Sequence, residues 1–334
     1  MKKSQSLNYV GNLSQLGGSR HYVLEEGWGR GMRAVDISTG SGLQYTVLPD
    51  RGLDISLASF RGTNLVYLTP NGETHPSYYE PQGTGWLHTF AGGLLTTCGL
   101  THFGSPCSHN GEELGLHGRY STIPVKRFSD LSGWDNDTYY VKIRGTAEEG
   151  SLFGRKIRLE REISSALGQN YIRVLDTISN FGNSESPYTI LYHMNFGYPF
   201  LSEDAGLIID PVETKPRDPD AVPGLNDFRR FIKPQETYRE QVFFHTMKAD
   251  QDGYARVILG NKTAGLEAEL KFRVESLPYL TQWKMMGYGE YVLGLEPGNV
   301  PCKARNVLDQ EKILPVLQPG EAMTNELILT ISAF

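Results

Sequence analysis

The sequence predicts an all-β protein folded as a large antiparallel β-sandwich. Several segments alternate apolar and polar residues with period two, and turn-forming pairs recur between them at steady spacing. No stretch of about a dozen residues carries an apolar period of 3.6, so long amphipathic helices are not expected. The turn signals are Asn-Gly at 71 and 110, Asp-Gly at 252 and Pro-Gly at 319. Glycine and proline are spread along the 334 residues rather than gathered into a linker. One domain over 1–334 is therefore expected, with 1–40 as an N-terminal extension that includes the first strands.

Taken in chain order, "LPDRGLDISLASFRG" (48–62) sets Arg51 between Asp50 and Asp54. A guanidinium fork there suits a hydroxyl or a carboxylate, and equally a turn with local ion pairs. "GLLTTCGLTHFGSPCSHNGEELGLHG" (93–118) gathers His102, His109 and His117. Histidine is a common metal ligand, but these spacings match no compact metal motif. Cys98 sits among apolar residues with no basic neighbour to lower its pKa, so a nucleophilic role is not expected.

In "YYVKIRGTA", Val141 and Ile143 point one way and Lys142 and Arg144 the other. "KIRLEREI" sets Ile157 and Leu159 against Lys156, Arg158 and Glu160, and "YIRVLDTISN" and "NELILTISAF" also read as strands. In "YTILYHMNFGYP" a strand from Tyr188 to Tyr192 leaves His193 and Asn195 on one face. The pair can point into one cleft, or His193 can satisfy a backbone carbonyl at a strand end. The 203–236 segment, with its prolines and charges, reads as a surface excursion. "YVLGLEPGNVP" ends an apolar run on Glu296. A carboxylate there is costly to bury unless paired, and burial raises its pKa toward that of a general base. A strand-end glutamate reaching solvent is the competing reading.

The bulk properties exclude several classes. A net charge of −6 and a pI near 5.8 give no basic field for nucleic acid. No apolar run approaches the roughly 20 residues of a membrane helix, and the N-terminus turns polar at once, unlike a signal peptide. Three cysteines make no disulfide framework, so a cytoplasmic protein with reduced thiols is expected. Phosphate-loop, nucleophile-elbow and dinucleotide fingerprints are absent; "GWGRGM" lacks the strand-turn-helix context.

"LGLHGR", then "LYHMNFGYP", then "YVLGLEP", then "LQPGEAMTNELILTIS" follow the order of motifs in the aldose 1-epimerase (galactose mutarotase-like) family. From about residue 40 onward the chain resembles a divergent bacterial branch of it that shares "DRGLDI" and "LHGR". The resemblance implies a β-supersandwich with a sugar cleft on one sheet. It implies that His193 acts as acid toward the ring oxygen, that Glu296 takes the anomeric proton, and that His117 positions the sugar. No cofactor or metal is implied; the partner is a small sugar, and a homodimer is left open.

The chain departs from the family pattern where an arginine is expected before the first histidine motif. Arg51, Arg119 and His102 are the candidates to replace it. Near the place of the family's aspartate lie Glu240, Gln241 and His245, of which His245 joins the substrate-binding set with Asn195. Trp283, Phe90 and Tyr192 are candidates for an apolar wall against the sugar. The function implied is a cofactor-independent isomerase that interconverts the α and β anomers of a free sugar. Two alternatives are a non-catalytic sugar-binding or sensing protein, and a metal-assisted isomerase or lyase on a sugar acid or keto-sugar through His102, His109 and His117.

Overall fold

The computed structural model describes residues 3–334. Met1 and Lys2, which open the polar N-terminus weighed above against a signal peptide, lie outside the described residues. The chain runs mainly in antiparallel strands, gathered into five-, nine- and six-stranded sheets and two small two-stranded ones. Among the described residues α-helix is limited to Lys3–Leu7 and Arg305–Gln310. This is the antiparallel β-sandwich that the period-two patterning predicts.

Alternation decides which way each strand faces. Along 156–163 of the Lys156–Ala166 strand and throughout Tyr171–Asn180 every second side chain is buried, and the residues between them stay partly accessible. A one-residue slip would turn Ile157, Leu159 and Ile163 out to water, at about 1.5–3 kcal/mol for each side chain. These residues pack in one core with Ile190, Phe196, Leu293 and Leu295 of the six-stranded sheet, and with Val47 and Phe60 of the five-stranded sheet.

The six-stranded sheet runs in the order Pro211–Pro216, Gln241–Met247, Tyr279–Gly287, Glu290–Gly298, Thr189–Gly197, Thr96–Leu100. Thr189–Gly197 is buried on both faces along its length. One face meets the main core. The other carries a smaller cluster in which Cys98 and Leu191 pack with Trp86, Phe90, Phe103 and Val300. A strand covered on both sides explains why "YTILYHMNF" reads as a nearly unbroken apolar run.

A buried ionic network ties the sandwich together behind that strand. Arg161 is fully buried; its Nε and Nη2 donate to Asp176 at 2.9 and 2.7 Å, and its Nη1 donates to Asp54 at 3.0 Å. Asp176 also accepts from the Tyr192 hydroxyl at 2.8 Å, and the Asn325 amide donates to that hydroxyl at 3.1 Å. Asp54 accepts the Thr97 N–H and hydroxyl. The second aspartate of "DRGLDI" is thus part of the core.

The 203–236 segment is not the surface excursion expected. Ala205–Ile209 forms an edge strand of the nine-stranded sheet and Pro211–Pro216 an edge strand of the six-stranded one. Ala221, Phe228 and Phe231 belong to the main core. The short alternation of Ala205, Leu207 and Ile209 is the period-two signal, masked in the sequence by the flanking prolines and charges.

Candidate active site

The site is built on the outward face of the six-stranded sheet. The register pairs Asn195 with Gly294 and Met194 with Leu295, which sets His193 beside Glu296. Partners across antiparallel strands share a face, so these side chains stand together on the side opposite Leu293 and Leu295. His193 Nε2 lies 3.3 Å from Glu296 Oε1, and the two residues are 4% and 2% exposed. Gly294 leaves the room they need: a Cβ there would meet Glu296 Oε1 at 2.3 Å and Trp283 Cβ at 3.0 Å.

His117 reaches the same place from a loop. Its backbone is left-handed, with φ of 57°. Its Nδ1 lies 2.8 Å from the Phe103 carbonyl, and its N–H donates to the Gly104 carbonyl at 3.2 Å. Donation from Nδ1 to a carbonyl fixes the tautomer and leaves Nε2 free to accept a hydrogen bond. The next residue, Gly118, has φ of 70°, and a Cβ there would meet the His102 and Gly99 carbonyls at 2.2 and 2.6 Å. The "THFG" stretch is therefore the cradle of His117. The His117 and His193 rings lie 5.7 Å apart at 88°.

Aromatic side chains enclose the group. From the His193 ring, Phe90 lies at 5.4 Å, Trp283 at 5.5 Å and Trp86 at 6.4 Å. Burial, reinforced by Glu240, pushes the Glu296 carboxyl well above the usual carboxylate range, with Arg217 opposing. Burial and then His117 hold His193 well below the usual histidine value, with the Asn195 amide opposing. His117 is pushed down to about 4, again mainly by burial. Burial thus disfavours the charged form of both Glu296 and His193.

Other expected residues lie elsewhere. Asn195 shares the site face, but its amide N–H groups donate to the Gly93 and His193 carbonyls. His245 pairs with Leu280 across the sheet while Thr281 pairs with Glu296, so it faces away and bonds Thr214 and Gln282. Arg51 is buried and donates to the Thr74 carbonyl at 2.7 Å. Arg119 lies near Tyr79 and Glu149. The His102 ring is buried with both nitrogens unpartnered, and Arg305 and His117 help burial depress it to about 4. Tyr192 turns inward to Asp176. Phe90 and Trp283 do border the group.

The three clustered histidines do not converge. His109 bonds Asp309 and Arg305, while His117 serves the site. Among the described residues no group of three or more His, Cys, Asp or Glu side chains is arranged to hold a metal ion. Two residues outside the expected set also bear on the site. Trp283 Nε1 donates to Glu240 at 2.8 Å, and Arg217 Nη2 donates to Glu240 at 2.7 Å. Arg217 was hidden in the segment read as surface, and Glu240 was noted only by position.

This fold and this face define a galactose mutarotase-like β-sandwich. The chain belongs to the family described as Domain of unknown function (DUF4432), whose model matches residues 29–331. A Klebsiella pneumoniae structure provisionally assigned as an aldose 1-epimerase is 25% identical, with a TM-score of 0.90 over 99% of this chain and 86% of that one. A galactose mutarotase-like protein of Clostridium acetobutylicum is 13% identical, with a TM-score of 0.63 over 96% of this chain and 100% of that one. A galactose 1-epimerase of Lactobacillus acidophilus is 12% identical, with a TM-score of 0.59 over 95% of this chain and 99% of that one. No curated protein matches the chain in sequence. No helix among the described residues is long and apolar enough to cross a membrane.

Proposed function

We propose that the protein is an aldose 1-epimerase that interconverts the α and β anomers of a sugar with a free anomeric hydroxyl. The observation that carries this reading is the direct apposition of His193 and Glu296, 3.3 Å apart in a buried, aromatic-lined place. Ring opening moves two protons at two oxygens bonded to one carbon. A base takes the proton of the anomeric hydroxyl, and an acid delivers one to the ring oxygen. Rotation about C1–C2 and reclosure on the other face complete the exchange. Two side-by-side groups that share one proton match that demand.

Burial favours the uncharged forms of the pair, which places the proton on Glu296. Sugar hydroxyls bring polarity that favours the charged pair, and the proton crosses the short gap to His193. Glu296 then takes the anomeric proton while His193 protonates the ring oxygen, and the roles reverse on closure. His117, neutral and fixed in tautomer by Phe103, accepts a hydrogen bond from a sugar hydroxyl at Nε2 and orients the ring. Phe90, Trp86 and Trp283 offer aromatic faces to the C–H side of the sugar. Exchange NMR with added protein across a panel of aldoses tests the reading. Acceleration above the buffer rate supports it, and none with any aldose overturns it.

A further inference from the structure

The rim of the same face holds a chain of charges that ring opening does not use. Arg217 follows the Pro211–Pro216 strand, and its N–H donates to the Val242 carbonyl at 2.9 Å. Val242 pairs with Trp283, and Trp283 with Gly294, so Arg217 lies in one cross-strand row with the site. Arg217 Nε donates to Asp218 at 2.6 Å and Nη2 to Glu240 at 2.7 Å. The other Glu240 oxygen accepts the Trp283 indole N–H at 2.8 Å. One carboxylate thus fixes both an aromatic wall of the site and the guanidinium at its edge.

One cation against two carboxylates gives this chain a net charge of 1 − 2 = −1. The Arg217 and Glu240 side chains are 36% and 46% exposed, so the chain faces incoming solutes. Two basic groups next along the chain to this face are already paired: Arg239, beside Glu240, with Asp220, and Lys303 with Glu311. A phosphate or carboxylate site requires an arginine or lysine whose charge is not already taken. Here the guanidinium is committed to two carboxylates.

We propose that the Asp218–Arg217–Glu240 chain is a charge filter that admits neutral sugars and rejects phosphorylated or acidic ones. The inference rests on the sugar reading of the site and names its substrate class. Neutral sugars lose nothing at this rim, since hydroxyls can donate to Glu240 and accept from the N–H groups Arg217 has left. An anion meets like charge, which is costly at a partly desolvated contact and is weakened by salt.

The test pairs neutral aldoses with their own phosphates: galactose, glucose and ribose against galactose 6-phosphate, glucose 6-phosphate and ribose 5-phosphate. Isothermal titration reads binding without turnover, and exchange NMR reads turnover. The neutral member of a pair is expected to bind at least about tenfold tighter. The gap narrows with added salt, and in Glu240→Gln and Asp218→Asn. 6-O-methylgalactose, larger but neutral, stays on the tight side. A phosphate that binds as tightly as its parent overturns the filter, and so does a gap insensitive to salt. Neutral preference in titration with no anomer exchange keeps the filter and overturns the epimerase reading. No binding of any of these sugars overturns both. Should a variant fail to fold, the salt dependence of the unaltered protein still decides.

Discussion

His193 Nε2 stands 3.3 Å from Glu296 Oε1, held there by adjacent central strands of one sheet. Removing either partner takes away one half of the proposed acid–base pair. Glu296→Gln and His193→Ala are each expected to slow anomer exchange by at least about 100-fold, with circular dichroism unchanged. Exchange NMR checks this, and unchanged rates in both variants would sink the assignment.

The pH profile should show the inverted order of the pair. With ordinary values Glu296 would ionise below His193, and the one-proton state would fade as pH rose past 6.5. Here burial raises Glu296 and lowers His193. The pair gains a second proton only well below the usual histidine value and loses its last only well above the usual glutamate value. The high-pH limb of activity is therefore expected to follow ionisation of the raised Glu296 carboxyl and not that of an ordinary histidine, with apparent values that belong to the pair. A high-pH limb that stays in place in Glu296→Gln contradicts this assignment.

Gly118 should matter more than its size suggests. Alanine there needs a left-handed backbone and a Cβ that would overlap the His102 and Gly99 carbonyls, a strain of about 1–3 kcal/mol. The loop must shift, and His117 shifts with it. Gly118→Ala is expected to lower kcat/KM at least about tenfold, mostly through KM, while Gly111→Ala, which also has positive φ but open space around it, serves as control.

Behind the site, Asp176→Asn removes one charge from the pair with Arg161. Breaking a buried pair from one side costs about 3–5 kcal/mol. Urea unfolding should show that loss as a lower midpoint. A change under about 1 kcal/mol would mean that Asp54 alone compensates the guanidinium.

The strands were legible wherever one face is wet. Lys156–Ala166 and Tyr171–Asn180 announce themselves by alternation, because Lys156, Arg158, Glu160, Arg173, Thr177 and Ser179 stay partly accessible between buried neighbours. His193 and Glu296 were legible as polar residues ending apolar runs. His245 and Tyr192 were misplaced for a common reason: residue type does not say which side of a sheet a side chain takes. That follows from register, and register appears only once partners are known. His245 is one residue out of phase with the site face, and Tyr192 sits next to His193 yet points the other way. Arg217 escaped because prolines and charges made its segment look solvated. Arg161 escaped although it keeps the phase of Ile157, Leu159 and Ile163, because in "KIRLEREI" a guanidinium in that phase reads as a break in the alternation and not as a core residue.

The Thr189–Gly197 strand carries His193 on one side and, through Tyr192, a link of the ionic network on the other. Neighbouring positions thus answer to two unrelated demands. A drifting lineage has little freedom to retune His193 by moving its strand, because the same movement would uncouple Asp176 and Arg161. The edges of the sheet, in the 217–240 segment and the stretch bearing Trp86 and Phe90, stand outside that double constraint.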